Sequence, residues 1–517
     1  MSNLTTGFKF FIIVLIVGGL AAGLYFAKPG LFKGKKKAGN SSTTSTSKKS
    51  GGFFSKSDEA DLTLGINTWA GFAPIVWLNG GLEPNEDSKL YKEYGIKLRI
   101  KINDVFEDSR NSFKTDNYNL VYCTTDVLPI EMGAGSGMVD AGANQFLQVD
   151  WSRGGDAIVV NKGINKVADL KGKTISVAEG TASHSLLIKV LESNGLSMND
   201  VQMKKVSDGI ESAKLYKAGA VPAAVVWAPD DLDCVDAIPG SKVLVNTKIA
   251  THIIADGILV KEAFLNDNKE LLVKFATAWL DANAQINHSD VLLQEAAQAF
   301  CTAFDIKDLS FAVNGIHNVR LTTLGDNKNF FGLNSAYQGI TGEQLYSKMS
   351  IVYGDLGLAK SSVAWRSVSN TSIIEAVNLT TGQEAEGAVT FTPATAEVKA
   401  KEAFSNKKVT INFETGASML SDDAMGTIDR EFVNIAKSFS SARIRIEGNT
   451  DATGTNSINK PLSQKRAQAV ANYLIKEYKF DPNRFIVIGN GSTKAVADGV
   501  TGDNEFYRRT DFELVEE

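Results

Sequence analysis

The stretch Ile446-Glu447-Gly448-Asn449-Thr450-Asp451, continued by Gly454, Asn459, Leu462-Ser463 and Arg466-Ala467, decides how the rest of the chain is read. Ile444 and Ile446 make a short apolar strand that runs into a polar turn carrying one carboxylate, Asp451. Fifteen positions later, Arg466 falls on the first turns of an amphipathic helix. One small surface thus receives a fixed negative and a fixed positive charge. That suits a zwitterionic ligand, whose ammonium meets the carboxylate and whose carboxylate is gripped by the guanidinium through two parallel hydrogen bonds. An isolated Asp and Arg at this spacing would read only as a chance salt bridge in a plain α/β domain.

The full pattern, TDxxGxxxxNxxLSxxRA, resembles the OmpA-like peptidoglycan-binding domain over roughly residues 407–515. The resemblance implies that Asp451 and Arg466 hold the diaminopimelate of the wall peptide and that Gly454, Asn459 and Leu462 shape the pocket. Tyr507-Arg508-Arg509-Thr510-Asp511 resembles the closing asparagine-arginine-arginine strand of that family, which adds Arg509 to the site. Two departures are Asn449, where the family has histidine, and Tyr507, where it has asparagine; both leave the charge pair intact. A wall-binding domain requires the preceding chain to reach the periplasm.

At 517 residues the chain needs two or three cores. Charged residues at 22% and hydrophobic ones at 43% fit folded domains, and a net charge of −5 gives no footprint for nucleic acid. Cys123, Cys234 and Cys301 form no CxxC, and the odd count leaves at least one thiol free. Four histidines without paired spacing give no support for a metal site, and no cofactor motif is present.

Phe10 to Ala27 is an uncharged apolar run of eighteen residues, long enough to span a bilayer. It holds no acidic residue, which argues against a proton-driven stator. Ala21-Ala22-Gly23 offers a signal-peptidase site, and the lysines at 28, 33, 35, 36 and 37 outnumber Lys9, against the positive-inside rule. An uncleaved single-pass anchor in the inner membrane (1–28) is nonetheless expected, because a wall-binding domain has no target in the cytoplasm. Residues 29–60, rich in Lys, Ser, Thr and Gly, read as a flexible tether.

From Asp61 the pattern becomes strand alternating with helix: Leu62-Thr63-Leu64-Gly65-Ile66, the alternation of Ile96 to Ile102, then Ala157 to Val160, Thr174 to Val177 and Ala223 to Trp227. This order predicts parallel α/β sheets. Glu179-Gly180-Thr181-Ala182-Ser183-His184 opens a helix and offers N–H groups and hydroxyls to an anionic or strongly polar group, or simply caps the helix.

Gly65-Ile66-Asn67-Thr68-Trp69-Ala70-Gly71-Phe72, Asp150-Trp151-Ser152-Arg153-Gly154-Gly155-Asp156, Asp169-Leu170-Lys171-Gly172-Lys173 and Val226-Trp227-Ala228-Pro229-Asp230 together resemble solute-binding proteins of the nitrate, sulfonate and taurine type. The resemblance implies a two-lobed periplasmic-binding-protein fold over 61–360, with a second lobe at about 151–250. Implied cleft residues are Thr68, Trp69, Thr125 and Asp126 from the first lobe and Thr181, Ser183, His184 and Trp227 from the second. Each tryptophan reads equally as a ligand face and as core. The hydroxyl-rich turn favours an anion while Asp126 and Asp156 favour a cation, so ligand charge stays open.

Residues 361–405 read as a linker, with Ala364-Trp365-Arg366 and Ile373 to Val377 ordered within it, ahead of the C-terminal domain at 406–517. No GxSxG, P-loop or GxGxxG follows a strand, and Gly133 to Gly137 reads as a loop. The expectation is a non-catalytic α/β protein of the cell envelope: anchor, solute-binding domain and OmpA-like domain. Its expected partners are peptidoglycan, a small polar or anionic solute, the inner membrane, and a permease or envelope complex. The alternative is a structural protein whose solute-binding-like domain is a ligand-free spacer or docking module.

Overall fold

The computed structural model describes residues 59–517 apart from 134–136, 412 and 414–415. The expected anchor and nearly all of the expected tether lie outside the described residues, as does part of the Gly133 to Gly137 loop. Among the described residues, no helix is long and apolar enough to cross a membrane.

The first strands form where the sequence alternates. In β1 (Leu62–Ile66), Leu62, Leu64 and Ile66 are fully buried, and β2 (Leu98–Ile102) and β3 (Leu120–Thr124) lie on either side in parallel. The chain then runs through β4 (Ala143–Ser152) into β5 (Asp156–Val160), leaving one sheet and entering another. The second sheet adds β6 (Thr174–Ala178), β7 (Gln202–Val206), β8 (Ala223–Trp227) and β9 (Lys242–Asn246) in the order β7-β6-β8-β5-β9. From β9 the chain returns to the first sheet as β10 (Ala255–Lys261), and β11 (Val319–Leu321) completes it in the order β11-β4-β10-β3-β1-β2. Two lobes joined by two crossings result.

Neither sheet is purely parallel. β10 runs against β3 and β4, and β5 runs against β8 and β9. The crossings are the cause: a chain that traverses to the other lobe and comes back must enter each sheet from its far end. The strands of the first crossing, β4 and β5, are buried along their whole length.

Four further strands, β12 (Ser405–Val409), β13 (Arg443–Asn449), β14 (Phe485–Gly491) and β15 (Thr510–Val515), make a third sheet in the order β12-β15-β13-β14. The helix Asn456–Tyr478 connects the parallel pair β13 and β14 and packs on both. Its buried Ala467, Val470, Ala471 and Leu474 belong to an apolar core that is continuous with the second lobe's Leu186, Leu187, Val190 and Leu191.

The segment 361–405 connects lobe and sheet but is tied down. Trp365, Val368, Ile373 and Ile374 are buried in the first lobe. Farther on, Gln383 Nε2 donates to Leu280 O at 3.3 Å, the Glu386 N–H to Asp326 Oδ1 at 2.6 Å, and the Phe391 N–H to Asp481 Oδ2 at 2.9 Å. Its polar composition reports average solvation, whereas a few apolar and hydrogen-bonding positions fix its course.

Candidate functional site

At the end of β13 the chain enters the turn that carries Asp451, and the helix starting at Asn456 brings Arg466 round on its third turn. Both are nearly buried, and each lies within the other's electrostatic reach. Asp451 accepts from the Thr453 N–H at 3.1 Å and the Asn504 N–H at 3.4 Å. Its Oδ2 also meets Arg508 Nη1 at 2.6 Å. Burial resists its ionisation, but Arg508 and the two N–H groups outweigh that and hold its pKa below the usual carboxylate value. Arg466 donates from Nε to Ala417 O at 2.9 Å, and its guanidinium lies 4.8 Å from the centre of the Phe413 ring. Burial lowers its pKa, with Asp451 pulling the other way.

The other expected pocket residues take distinct places. Gly454 sits in the turn at φ +82°, where a side chain would be strained. Asn459 Nδ2 donates to Thr453 O at 2.9 Å and so fixes the turn from the helix. Leu462 is half-buried on the same helix. Arg509 lies across the Phe506 and Tyr507 rings and donates from Nε to Asp511 Oδ1 at 2.9 Å. Arg466, Arg508 and Arg509, with Ile411, Phe413 and Gly448, line a cavity of about 40 Å³, room for about one water.

The two sequence departures have structural partners. Asn449 Nδ2 donates to Asp511 Oδ2 at 3.2 Å and its Oδ1 accepts from Asn490 at 3.0 Å. Lys494 then bridges Glu447 at 2.6 Å and Asp511 at 2.7 Å. The Tyr507 hydroxyl donates to Asp498 Oδ2 at 2.7 Å.

The residues expected at the interlobe cleft divide. Thr68 is exposed, and its N–H and hydroxyl both donate to Asp104. Trp69 donates from Nε1 to Asp150 Oδ2 at 3.2 Å, and its ring lies so close to Gly155 that a Cβ there would fall 2.2 Å from it. Trp69 is therefore clamped on the crossing. Thr125 turns inward and donates to Gln145 Oε1 at 3.0 Å, so it is a core hydroxyl. The Thr181 hydroxyl donates to Ala178 O at 2.9 Å, and Ser183 Oγ accepts from Trp227 Nε1 at 3.0 Å.

Asp126 and His184 are different. Both are buried; neither carboxylate oxygen of Asp126 has a hydrogen-bond partner, nor does His184 Nε2. Burial pushes the Asp126 carboxyl up to about 7, with Ser185 pulling the other way. Burial lowers His184 to about 4, with Glu179 opposing. The Gly180 N–H donates to His184 Nδ1 at 3.3 Å, which leaves the ring proton on Nε2. Tyr353 of the first lobe lies near both. Its ring lies 5.7 Å from that of His184, its hydroxyl is 2.7 Å from Ser185 Oγ of the second lobe, and burial, with the Asp126 charge second to it, raises its pKa. An orphan acceptor on the first lobe and an orphan donor on the second thus lie near one tyrosine. No local sequence signal marks Tyr353.

Three more buried carboxylates, Asp150, Asp156 and Asp256, lie at the crossings. Ser152 Oγ donates to Asp156 at 2.9 Å and Thr124 Oγ1 to Asp256 at 3.1 Å. Burial raises all three, Asp150 and Asp156 to about 7. Among the described residues, no group of three or more His, Cys, Asp or Glu side chains converges to hold a metal. All three cysteines are buried and free.

Residues 412–509 match the OmpA family and residues 155–288 the family described as NMT1/THI5 like. The chain thus joins an NMT1/THI5-like region to a C-terminal OmpA region. It is 29% identical over 117 residues to outer membrane porin F of Pseudomonas aeruginosa, covering 23% of this chain and 31% of that one. A protein of Brucella abortus named as a binding protein is 35% identical over 74 residues, 14% of this chain and 23% of that one. The chain therefore spans about a third or less of the length of these relatives. The periplasmic aliphatic sulphonate binding protein SsuA of Escherichia coli superposes with a TM-score of 0.48 at 15% identity, over 61% of this chain and 98% of that one.

Proposed function

We propose that this is a non-catalytic envelope protein that holds peptidoglycan through Asp451 and Arg466 and captures a small polar solute between its lobes. The observation that carries the first part is the buried Asp451 carboxylate, kept ionised by its partners within electrostatic reach of Arg466. A zwitterionic amino-acid centre, such as that of diaminopimelate, matches this pair. Arg509 supports the pocket through Asp511. The eighteen-residue apolar run Phe10 to Ala27 supports a single-pass inner-membrane anchor, with the folded bulk in the periplasm. Retention of the full chain in membranes after an alkaline carbonate wash tests that anchor; release into the supernatant refutes it. For the wall site, Asp451→Asn and Arg466→Ala are each expected to lose most sedimentation with purified peptidoglycan. Unchanged sedimentation of both refutes the pocket.

The interlobe part rests on Asp126 and His184. Buried polar atoms without partners mark a missing hydrogen-bonding group. A solute presenting a donor to Asp126 and an acceptor to His184 fits, and it reaches them only when the lobes part. A second reading, a docking or spacer module, is favoured by the Ser185–Tyr353 and Trp227–Ser183 bonds, by which the lobes and the turn satisfy themselves. Native mass spectrometry of the full chain from its own host separates the two. An extra mass lost in Asp126→Asn supports solute capture, and a clean apo mass supports docking.

A further inference from the structure

A cavity lies outside both sites. It measures about 410 Å³, within the range of roughly 300–1,000 Å³ that binds metabolite-sized molecules. Three parts of the chain wall it: the crossing and tail of the first lobe (Trp151, Phe330), the connecting segment 361–405, here called the strap (Phe391), and the OmpA-like domain (Tyr478, Phe480). Trp151 and Phe330 meet edge to face at 5.9 Å, and Tyr478 and Phe480 stack at 6.1 Å. The first lobe and the OmpA-like domain thus each contribute an aromatic pair to its wall.

Its charges are unevenly matched. The carboxylates on the wall are engaged: Asp326 by Arg320 at 2.9 Å, Glu386 by Arg153 at 2.6 Å, and Asp481 by the N–H groups of Phe391 and Asn483. The buried guanidinium of Arg484 is taken up by the carbonyls of Ala436, Phe439 and Ala442. Lys479, on the same wall, donates to Lys476 O at 2.7 Å, whereas Lys437 makes no such bond. Lys437 is half-buried, lies 5.3 Å from the Tyr478 ring centre, and has no hydrogen bond or ion pair among the described residues. Burial lowers its pKa with no carboxylate to oppose it. A partly desolvated ammonium without an anion, at the wall of a cavity lined by aromatic rings, is a site lacking its counter-ion.

We propose that this junction cavity is a second ligand site, which takes a small organic anion with a flat apolar body. The anionic group pairs with Lys437, and the body lies against Trp151 and Phe330 of the first lobe and Tyr478 and Phe480 of the OmpA-like domain. Because the walls come from three parts, an occupant ties the strap and the OmpA-like domain to the first lobe.

The test uses the full chain with naphthalene-2-carboxylate and its uncharged carboxamide as probes, read by calorimetry and thermal shift. The carboxylate is expected to bind and raise the melting temperature. Lys437→Met, which keeps the stem and removes the charge, is expected to weaken carboxylate binding by about tenfold while leaving the carboxamide unchanged. Ala388→Trp, at an exposed wall residue, is expected to block both probes, and it keeps the test alive should Lys437→Met fold poorly. Absence of carboxylate binding overturns the proposal. So does equal affinity in wild type and Lys437→Met, or loss of binding in Asp126→Asn with Ala388→Trp unaffected, which moves the probe to the interlobe site.

Discussion

Arg508 is expected to restrain the proposed wall-binding site, and its removal to improve binding. Its Nη1 sits 2.6 Å from Asp451 Oδ2, where the ligand's ammonium is expected. A second carboxylate, Asp503, also contacts that nitrogen. The Arg508 side chain is 42% exposed while Asp451 is 9% exposed, so the arginine is the partner that can swing away. An ion pair with one end in solvent is worth about 0.2–1 kcal/mol. A ligand that displaces it forfeits that amount, and Arg508→Ala returns it. Affinity for a soluble diaminopimelate-containing muropeptide is therefore expected to rise by about 1.5- to 5-fold, since 1.4 kcal/mol is a factor of ten. The gain should shrink as salt screens the pair. Isothermal titration at low and high salt measures both. Asp451→Asn serves as control and should lose far more, about 2–5 kcal/mol, because it removes the charge that the ammonium meets. If Arg508→Ala weakens binding as much as Arg466→Ala does, the arginine holds the ligand's carboxylate and the reasoning fails.

Other outcomes follow from the interlobe region. Asp126 keeps its proton to about pH 7 when folded and releases it near pH 4 when unfolded, so its contribution to stability is complete below about pH 4 and lost as pH rises through 7. Asp126→Asn should raise the melting temperature at pH 8 and change it little at pH 4, the gap being a few kcal/mol at about 1.4 kcal/mol per pH unit; an equal change at both pH values contradicts the buried-proton account. Asp150 and Asp156 act in the same direction and His184 in the opposite one. Tyr353→Phe removes the Ser185 bond across the lobes and should cost about 0.5–1.5 kcal/mol while increasing the radius of gyration in X-ray scattering. An unchanged scattering profile and melting temperature would show that the bond does not hold the lobes.

The sequence carried the architecture because its apolar periods are local. The alternation of β1 and the run of β5 say strand whatever surrounds them, and the spacing from Asp451 to Arg466 follows from one strand, one turn and one helix. Strand direction was less legible: β5 and β10 run against their neighbours only because of the crossings, a property of the chain path. The orientation of a hydroxyl was not legible at all. Thr125 adjoins Asp126, but Gln145, twenty residues away, decides where it points. Arg508 adjoins Arg509, yet one bonds Asp451 and the other Asp511, because successive residues entering a strand face opposite ways. Tyr353 lay in an ordinary amphipathic helix, and only the packing of that helix against the second lobe gives its hydroxyl a role.

The packing between the second lobe and the OmpA-like sheet bears on how any lobe motion would be felt. The two share one apolar core, and hydrogen bonds cross between them: the Val167 N–H donates to Phe404 O at 2.9 Å, Ser405 Oγ to Ser193 O at 2.7 Å, and Lys189 Nζ to Asn434 Oδ1 at 3.1 Å. A joint of that kind resembles a domain interior more than a tether, so the OmpA-like sheet is expected to turn with the second lobe when the crossings flex. Phe404 is the natural place to break it. The ring is buried at the boundary, 6.2 Å from Phe439, and truncating a buried phenylalanine costs about 3–5 kcal/mol. In calorimetry the wild-type second lobe and OmpA-like domain should unfold in one shared transition, and Phe404→Ala should split off an earlier one belonging to the C-terminal domain. Two separate transitions already present in the wild type would mean that the shared core does not couple them, and that lobe movement need not reach the wall.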